Sequence, residues 1–167
     1  MASDPEFRLA VPADWGAIWR IMREVIASGD TYMFAPSMDE SAAREAWLFD
    51  GSDRRSTLCA CCDDEIVGTA ILKPNAAGPG DHVANAAWMV SSAARGRGVG
   101  RAFAEHVIEY ARMIGFMDMQ FNAVVSTNVG AIRLWESLGF KTVGTVPGAF
   151  RHPSCGLVAI HIMHRRL

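Results

Sequence analysis

Apolar positions in this chain change period several times, and the changes mark out its elements. Phe7 to Val11 alternates weakly and predicts a first strand. Pro12 and Asp14 then begin a helix whose apolar positions Trp15, Ile18, Trp19, Met22, Val25 and Ile26 fall on one face, and Ser28-Gly29-Asp30 ends it. Helical spacing alone explains that aromatic stripe, so it reads as core. Asp39 or Ser41 caps a second helix running to about Phe49. Leu58–Cys62 and Ile66–Leu72 predict a hairpin around Asp63-Asp64-Glu65, and Lys73 to Asp81 predicts a loop. His82–Ser91 is a strand, Phe103, Val107, Tyr110 and Ile114 mark a helix, and Met119–Val125 is another strand. A short helix with Ala131, Leu134, Trp135 and Leu138 on its apolar face ends at Gly139. The last strands, Thr142–Val146 and Leu157–Met163, are joined through Pro147–Gly156.

Between His82–Ser91 and the helix after it lies Arg95-Gly96-Arg97-Gly98-Val99-Gly100-Arg101. Its alternate glycines expose backbone N–H groups and permit the positive φ angles of an anion-binding nest. A helix starting there has free first-turn N–H groups, and Arg95, Arg97 and Arg101 add positive charge. A P-loop needs Gly-Lys-Ser/Thr after four intervening residues, and the dinucleotide fingerprint needs glycine where Arg101 stands. Neither fits, which leaves an anion cradle of another kind or a solvated Gly-Arg loop.

At these residues the chain resembles the Gcn5-related N-acetyltransferase family, looking closest to its phosphinothricin-type, small-amine branch. The family signature Gln/Arg-x-x-Gly-x-Gly/Ala is met by Arg95, Gly98 and Gly100. A second element, Asn-x-x-Ala-x-x-Leu-Tyr-x-x-x-Gly-Phe, is met by Asn128, Ala131, Leu134, Gly139 and Phe140, with Trp135 at the tyrosine position. The resemblance implies one mixed α/β domain over residues 7–167, with a central, mostly antiparallel sheet splayed in the middle and helices on both faces. It implies acetyl-CoA as cosubstrate, held by Arg95, Gly96, Arg97, Gly98, Val99, Gly100 and Arg101 at the pyrophosphate. Backbone near Met89 and Val90 meets the pantetheine arm, as do Asn128, Ala131 and Trp135. It also places the loop Thr31–Pro36 over the acceptor, which makes Tyr32 and Phe34 candidate substrate contacts, and homodimers are common in the family.

Strand parity sets Asn85, Ala87 and Met89 on one face and Ala84, Ala86, Trp88 and Val90 on the other. Acyl transfer to an amine needs a neutral amine, a polarised carbonyl and a way to stabilise the departing thiolate. Proximity supplies much of the rate, and a strand N–H near Val90 polarises the carbonyl oxygen. Two positions depart from the resembled pattern. Trp135 replaces the tyrosine acid, and an indole is no useful acid. Asn85 stands where relatives of that branch carry a glutamate base. Asn85, with Asn122 on the next strand, is therefore expected to position a water or the acceptor's polar group. Among the histidines, His82 and His152 lie in or beside loops, where an ordinary structural or surface role is favoured over reach to an acceptor, and His106 is structural or exposed.

The chain has 167 residues, enough for one domain with a substantial core, since 50% are apolar. A net charge of −2 gives no attraction for nucleic acid or anionic membrane, and no apolar run reaches a membrane span. Residues 1–6 read as a flexible start or an expression remnant. Cys59, Cys61, Cys62 and Cys155 lack paired metal-ligand spacing, so reduced structural thiols are expected rather than a disulfide or a metal site, in keeping with a cytoplasmic protein. The expected function is acetyl transfer from acetyl-CoA to a small-molecule amine through a ternary complex. The alternatives are a protein N-terminal or lysyl acetyltransferase and a non-catalytic acyl-CoA sensor.

Overall fold

The computed structural model describes residues 4–167. Its elements in order are β1 (Glu6–Leu9), α1 (Trp15–Ser28), α2 (Glu40–Trp47), β2 (Ser56–Cys62), β3 (Glu65–Pro74) and β4 (Val83–Val90). There follow α3 (Val99–Met113), β5 (Asp118–Val125), α4 (Val129–Ser137), β6 (Lys141–His152) and β7 (Gly156–Arg166). The strands form one seven-stranded sheet in the order β1-β2-β3-β4-β5-β7-β6. Every neighbouring pair is antiparallel except β4 with β5.

That parallel pair shapes the centre of the molecule. β4 pairs with β3 as far as Val90↔Gly68, whereas it meets β5 only at Val83↔Asp118, Ala84↔Met119 and Asn85↔Gln120. From Ala86 to Val90 the strand has a partner on one side only, and the sheet opens.

Strand parity distributes the core as the alternation predicts. Ala84 and Ala86 join Met119, Phe121 and the apolar faces of α3 and α4, while Met89, Ile71 and Cys59 pack under α1 and α2. Gly29, at φ +64, closes α1 in the left-handed conformation. The Asp39 carboxylate accepts the Ala42 N–H at 2.9 Å, which selects Asp39 over Ser41 as the cap of α2.

Several boundaries differ from the sequence-based expectation. α2 stops at Trp47, short of Phe49, because the buried Thr57 hydroxyl donates to the Trp47 carbonyl and accepts the Phe49 N–H at 2.9 Å. That same Thr57 ties the departing chain to β2. The strand expected over Phe7–Val11 is found at Glu6–Leu9, and Glu6, expected in the N-terminal start, pairs with Cys61. Residues 1–3 lie outside the described residues. The hairpin turns on Asp63 and Asp64 alone, both at positive φ, which suits the right-handed twist of β2 and β3. The connection expected over Pro147–Gly156 is mostly strand. Pro147, Gly148 and Ala149 form a bulge between Val146↔Ile160 and Phe150↔Val158, tolerated because β6 is an edge strand where a missing N–H costs no ladder bond.

Candidate active site

The glycine turn has the backbone its composition predicts. Gly96 and Gly98 take φ +75 and +78, and a Cβ added at Gly96, Gly98 or Gly100 meets no atom within 4 Å. The chain thus leaves open space over consecutive backbone N–H groups. Gly98 immediately precedes α3 and no side chain caps the helix, so its first N–H groups face that space unsatisfied by any side chain. Arg95 and Arg97 are exposed, and among the described residues their side chains make no hydrogen bond or ion pair. Arg101 is placed differently. It donates to the Ser137 hydroxyl at 3.0 Å and lies 3.4 Å from Glu105, bracing α3 against the end of α4. Val99 is buried at 2% exposure and anchors the turn in the core, so its side chain is not part of the cradle.

The opened edge of β4 begins beside this turn. Ser91 N–H donates to the Val67 carbonyl at 2.8 Å, and Val90 lies opposite Gly68. Antiparallel alternation then directs the backbone groups of Met89 toward β3 and those of Trp88 and Val90 into the opening. The expectation for Met89 is corrected accordingly: its backbone faces β3 and its side chain is buried under α1. Trp88 and Val90 are the residues whose backbone groups face the opening.

Around Trp88 the opening is lined by aromatic rings. Its side chain lies on the α3 and α4 side, with ring centroids 4.8 Å from Trp135 and 5.5 Å from Phe121, and Phe121 stacks on Phe140 at 4.3 Å. The Trp88 indole Nε1 is buried and has no hydrogen-bond partner among the described residues. Asn128 caps α4, its side-chain oxygen accepting the Ala131 N–H at 3.2 Å.

On the opposite face the loop after α1 crosses the opening. Tyr32 and Phe34 stack in parallel at 6.0 Å and both meet Trp47 edge-on. The Tyr32 hydroxyl donates to the Trp88 carbonyl. Burial pushes that phenol well above the ordinary tyrosine value, so it stays protonated and remains a donor. Where β4 and β5 part, a chain of amides begins. Asn85 Nδ2 donates to the Gln120 carbonyl at 3.0 Å, Gln120 Nε2 to Asn122 Oδ1 at 2.8 Å, and Asn122 Nδ2 to Asn75 Oδ1 at 2.7 Å. Asn85 and Asn122, expected together, are linked through Gln120, and the run contains no carboxylate.

The chain that forms this opened sheet and glycine turn matches the model of the acetyltransferase (GNAT) family over residues 19–140. The chain belongs to the acetyltransferase (GNAT) family. As a domain of that family it is an acetyl-CoA-dependent acetyltransferase. A GCN5-related N-acetyltransferase from Kribbella flavida is 46% identical, with a TM-score of 0.94 and 98% of each chain covered. Phosphinothricin acetyltransferase from Sinorhizobium meliloti, solved in complex with AcCoA, shares the fold at a TM-score of 0.88 and 20% identity, over 99% of this chain and 89% of that one. The N-acetyltransferase aca1 of Schizosaccharomyces pombe is 38% identical over 86 residues, 52% of this chain and 41% of that protein. The chain therefore matches less than half of that relative's length.

Four of the five histidines of this GNAT have partners within the fold. His152 Nδ1 accepts the backbone N–H groups of Ser154 and Cys155 and holds the β6–β7 turn. His106 packs on Phe7 at 5.0 Å, and burial lowers its pKa. His161 Nδ1 is bonded to the Thr145 hydroxyl at 2.9 Å, and His164 lies 3.2 Å from Asp118. Burial pushes the Cys59 thiol up to about 12, which makes it an inert core group. Among the described residues no helix is long and apolar enough to cross a membrane.

Trp88, Gln120 and Asn75 are the site residues that the sequence reading leaves out. A signal for the first was present: one tryptophan among alanines in Ala84-Asn85-Ala86-Ala87-Trp88, on the face toward α4. Gln120 was signalled by its parity with Asn122. Asn75 carried none, because only the folded loop after β3 brings it to Asn122.

Proposed function

We propose that this domain transfers the acetyl group of acetyl-CoA directly to the primary amine of a small molecule. The observation that carries this reading is the opened edge of β4, flanked by the glycine turn and roofed by Tyr32 and Phe34. Acetyl-CoA supplies an activated thioester. The N–H groups from Gly96 to Gly100, with Arg95 and Arg97, hold its pyrophosphate, each charge-assisted bond contributing about 1.5–3 kcal/mol before ordering costs. Val90 continues the sheet onto the pantetheine arm, and Asn128, Ala131 and Trp135 line its other side. Backbone N–H groups of Trp88 and Val90 are the donors available to the carbonyl oxygen.

On the acceptor side the roof of Tyr32 and Phe34 favours a compact molecule over an extended peptide. Asn85 and Asn122 orient its polar group or a water. With no carboxylate in the amide run, deprotonation of the incoming ammonium falls to solvent, and positioning carries most of the rate. Exposed Val143, Val146 and Leu157 on β6 and β7 support a homodimer. Light scattering that returned a monomer mass would remove that part.

The test is thiol release from acetyl-CoA against amino acids, polyamines, aminoglycosides and short peptides, with an acetyl-CoA titration alongside. Turnover on one small-amine class supports the proposal. Turnover on peptides alone moves the acceptor to proteins, and tight binding without turnover on any amine points to a sensor.

A further inference from the structure

Trp88 Nε1 is the one buried side-chain nitrogen or oxygen that lacks a hydrogen-bond partner among the described residues. Leaving such a donor unpaired costs about 1–3 kcal/mol, so each one in a native structure calls for a partner or a reason. The location is informative. Trp88 lies in the segment of β4 that has lost β5, and its ring approaches both Trp135 on α4 and Phe121 on β5. The indole therefore bridges the three elements that surround the opening. Its carbonyl is taken by Tyr32 from the other face, which fixes the backbone from which the ring projects. Trp135, in contact with this ring, occupies the position where the resembled family carries a hydroxyl.

Building on the reading above, we propose that the indole N–H of Trp88 donates a hydrogen bond to the sulfur of the cosubstrate as the C–S bond breaks. In the transfer the neutral amine nitrogen forms the new C–N bond, the C–S bonding pair moves onto sulfur, and the extra proton left on the acylated nitrogen passes to solvent. Sulfur takes its own proton from water on release. Trp88 loses no proton at any stage; it stabilises the thiolate by a charge-assisted bond, which is the part of an acid's work that a non-acidic donor can perform. The orphan donor is thereby assigned an acceptor that exists only with the cosubstrate bound.

The test is Trp88→Phe, which keeps an aromatic ring and removes the N–H. The thiolate absorbance of bound CoA is followed against pH, in parallel with acetyl-CoA affinity and kcat. The wild-type protein is expected to ionise bound CoA at lower pH than free CoA, and W88F to return it toward the free value. In W88F, kcat is expected to fall about 10- to 100-fold with acetyl-CoA Kd changed less than about 3-fold. A second measurement needs no variant: the Trp88 indole N–H resonance of the wild-type protein, labelled with ¹⁵N, is compared with CoA and with desulfo-CoA bound. It is expected to differ between the two. The same resonance with both ligands, or a W88F protein with unchanged thiol titration and kcat, overturns the proposal and leaves a donor satisfied by its aromatic neighbours or a water. Failure of the wild-type protein to bind CoA at all instead overturns the proposed function.

Discussion

The phenol of Tyr32 donates to the backbone carbonyl of Trp88, joining two residues 56 positions apart across the opened edge of the sheet. One bond couples the loop over the acceptor side to the strand that flanks the cosubstrate side. Tyr32→Phe keeps the stack on Phe34 and removes only that bond. It is expected to lower stability by about 1 kcal/mol, a Tm shift of roughly 2–4 °C. Acceptor KM should rise several-fold while acetyl-CoA Kd stays within about 2-fold. Calorimetry and initial rates check this; a change in acetyl-CoA affinity larger than that in acceptor KM contradicts it.

The glycine turn makes a sharper demand. Gly98 holds φ +78, where an L-residue costs about 1–2 kcal/mol, and the space over it is the proposed anion site. Gly98→Ala should weaken acetyl-CoA binding at least tenfold. Gly16→Ala in α1, where an added Cβ meets nothing, should leave binding unchanged and raise stability by about 0.5–1 kcal/mol. Titration calorimetry and thermal melts on the pair separate a site effect from a general cost of replacing glycine.

The side chains of Arg95 and Arg97 have no partner among the described residues, so their removal should spare the fold. The double variant Arg95→Ala/Arg97→Ala is expected to lose about 10- to 100-fold in affinity for acetyl-CoA. It should keep wild-type activity with S-acetyl-pantetheine, which has no pyrophosphate. Equal losses with both donors would remove these arginines from the anion site.

At the junction of β4 and β5, Asn85 both ties the strands and starts the amide run. Asn85→Ala is expected to raise acceptor KM and to lower stability by about 1 kcal/mol, whereas Asn122→Ala, in an exposed link, should raise KM alone. Steady-state kinetics with melting curves for both variants check the contrast. An acceptor KM unmoved in both would take the amides out of the acceptor site.

Arg8 clasps the Asp14 carboxylate with two bonds of 2.7 and 2.8 Å, and the carboxylate also accepts the Val11 N–H. The Arg8 bond holds the Asp14 pKa below its ordinary 3.8. A carboxylate more acidic folded than unfolded adds stability in full above the unfolded value and loses it as pH falls through the folded one. Because Arg8 is largely exposed, the contribution is about 0.5–1 kcal/mol. Asp14→Asn should therefore lower Tm at neutral pH and show a smaller further loss than wild type on acidification below pH about 4. Parallel melting curves check the slope.

Much of this fold was legible because period and parity are local properties. The faces of β4 followed from alternation, the start of α3 from Gly96 to Gly100, and the end of α1 from Gly29. Partner choice was less legible. Met89 and Val90 are chemically similar, and only the bond from Ser91 to Val67 shows which of them turns its backbone to β3. Asn75 reaches Asn122 through a loop whose path no spacing encodes, and β6 runs through Pro147 because an edge strand tolerates it. Trp135 was singled out by what it replaces, yet the unsatisfied donor belongs to its neighbour Trp88, a fact visible only once the rings are packed.

The central claim is direct transfer at the opened edge of β4, and acetyl-labelled acetyl-CoA tests it most directly. Protein mixed with a stoichiometric amount is sampled before and after adding an amine that turns over. The account predicts that label stays on CoA until the amine arrives and then appears on the amine in step with thiol release. Label trapped on a protein side chain before the amine is added, or thiol release with no label on the amine, would contradict it.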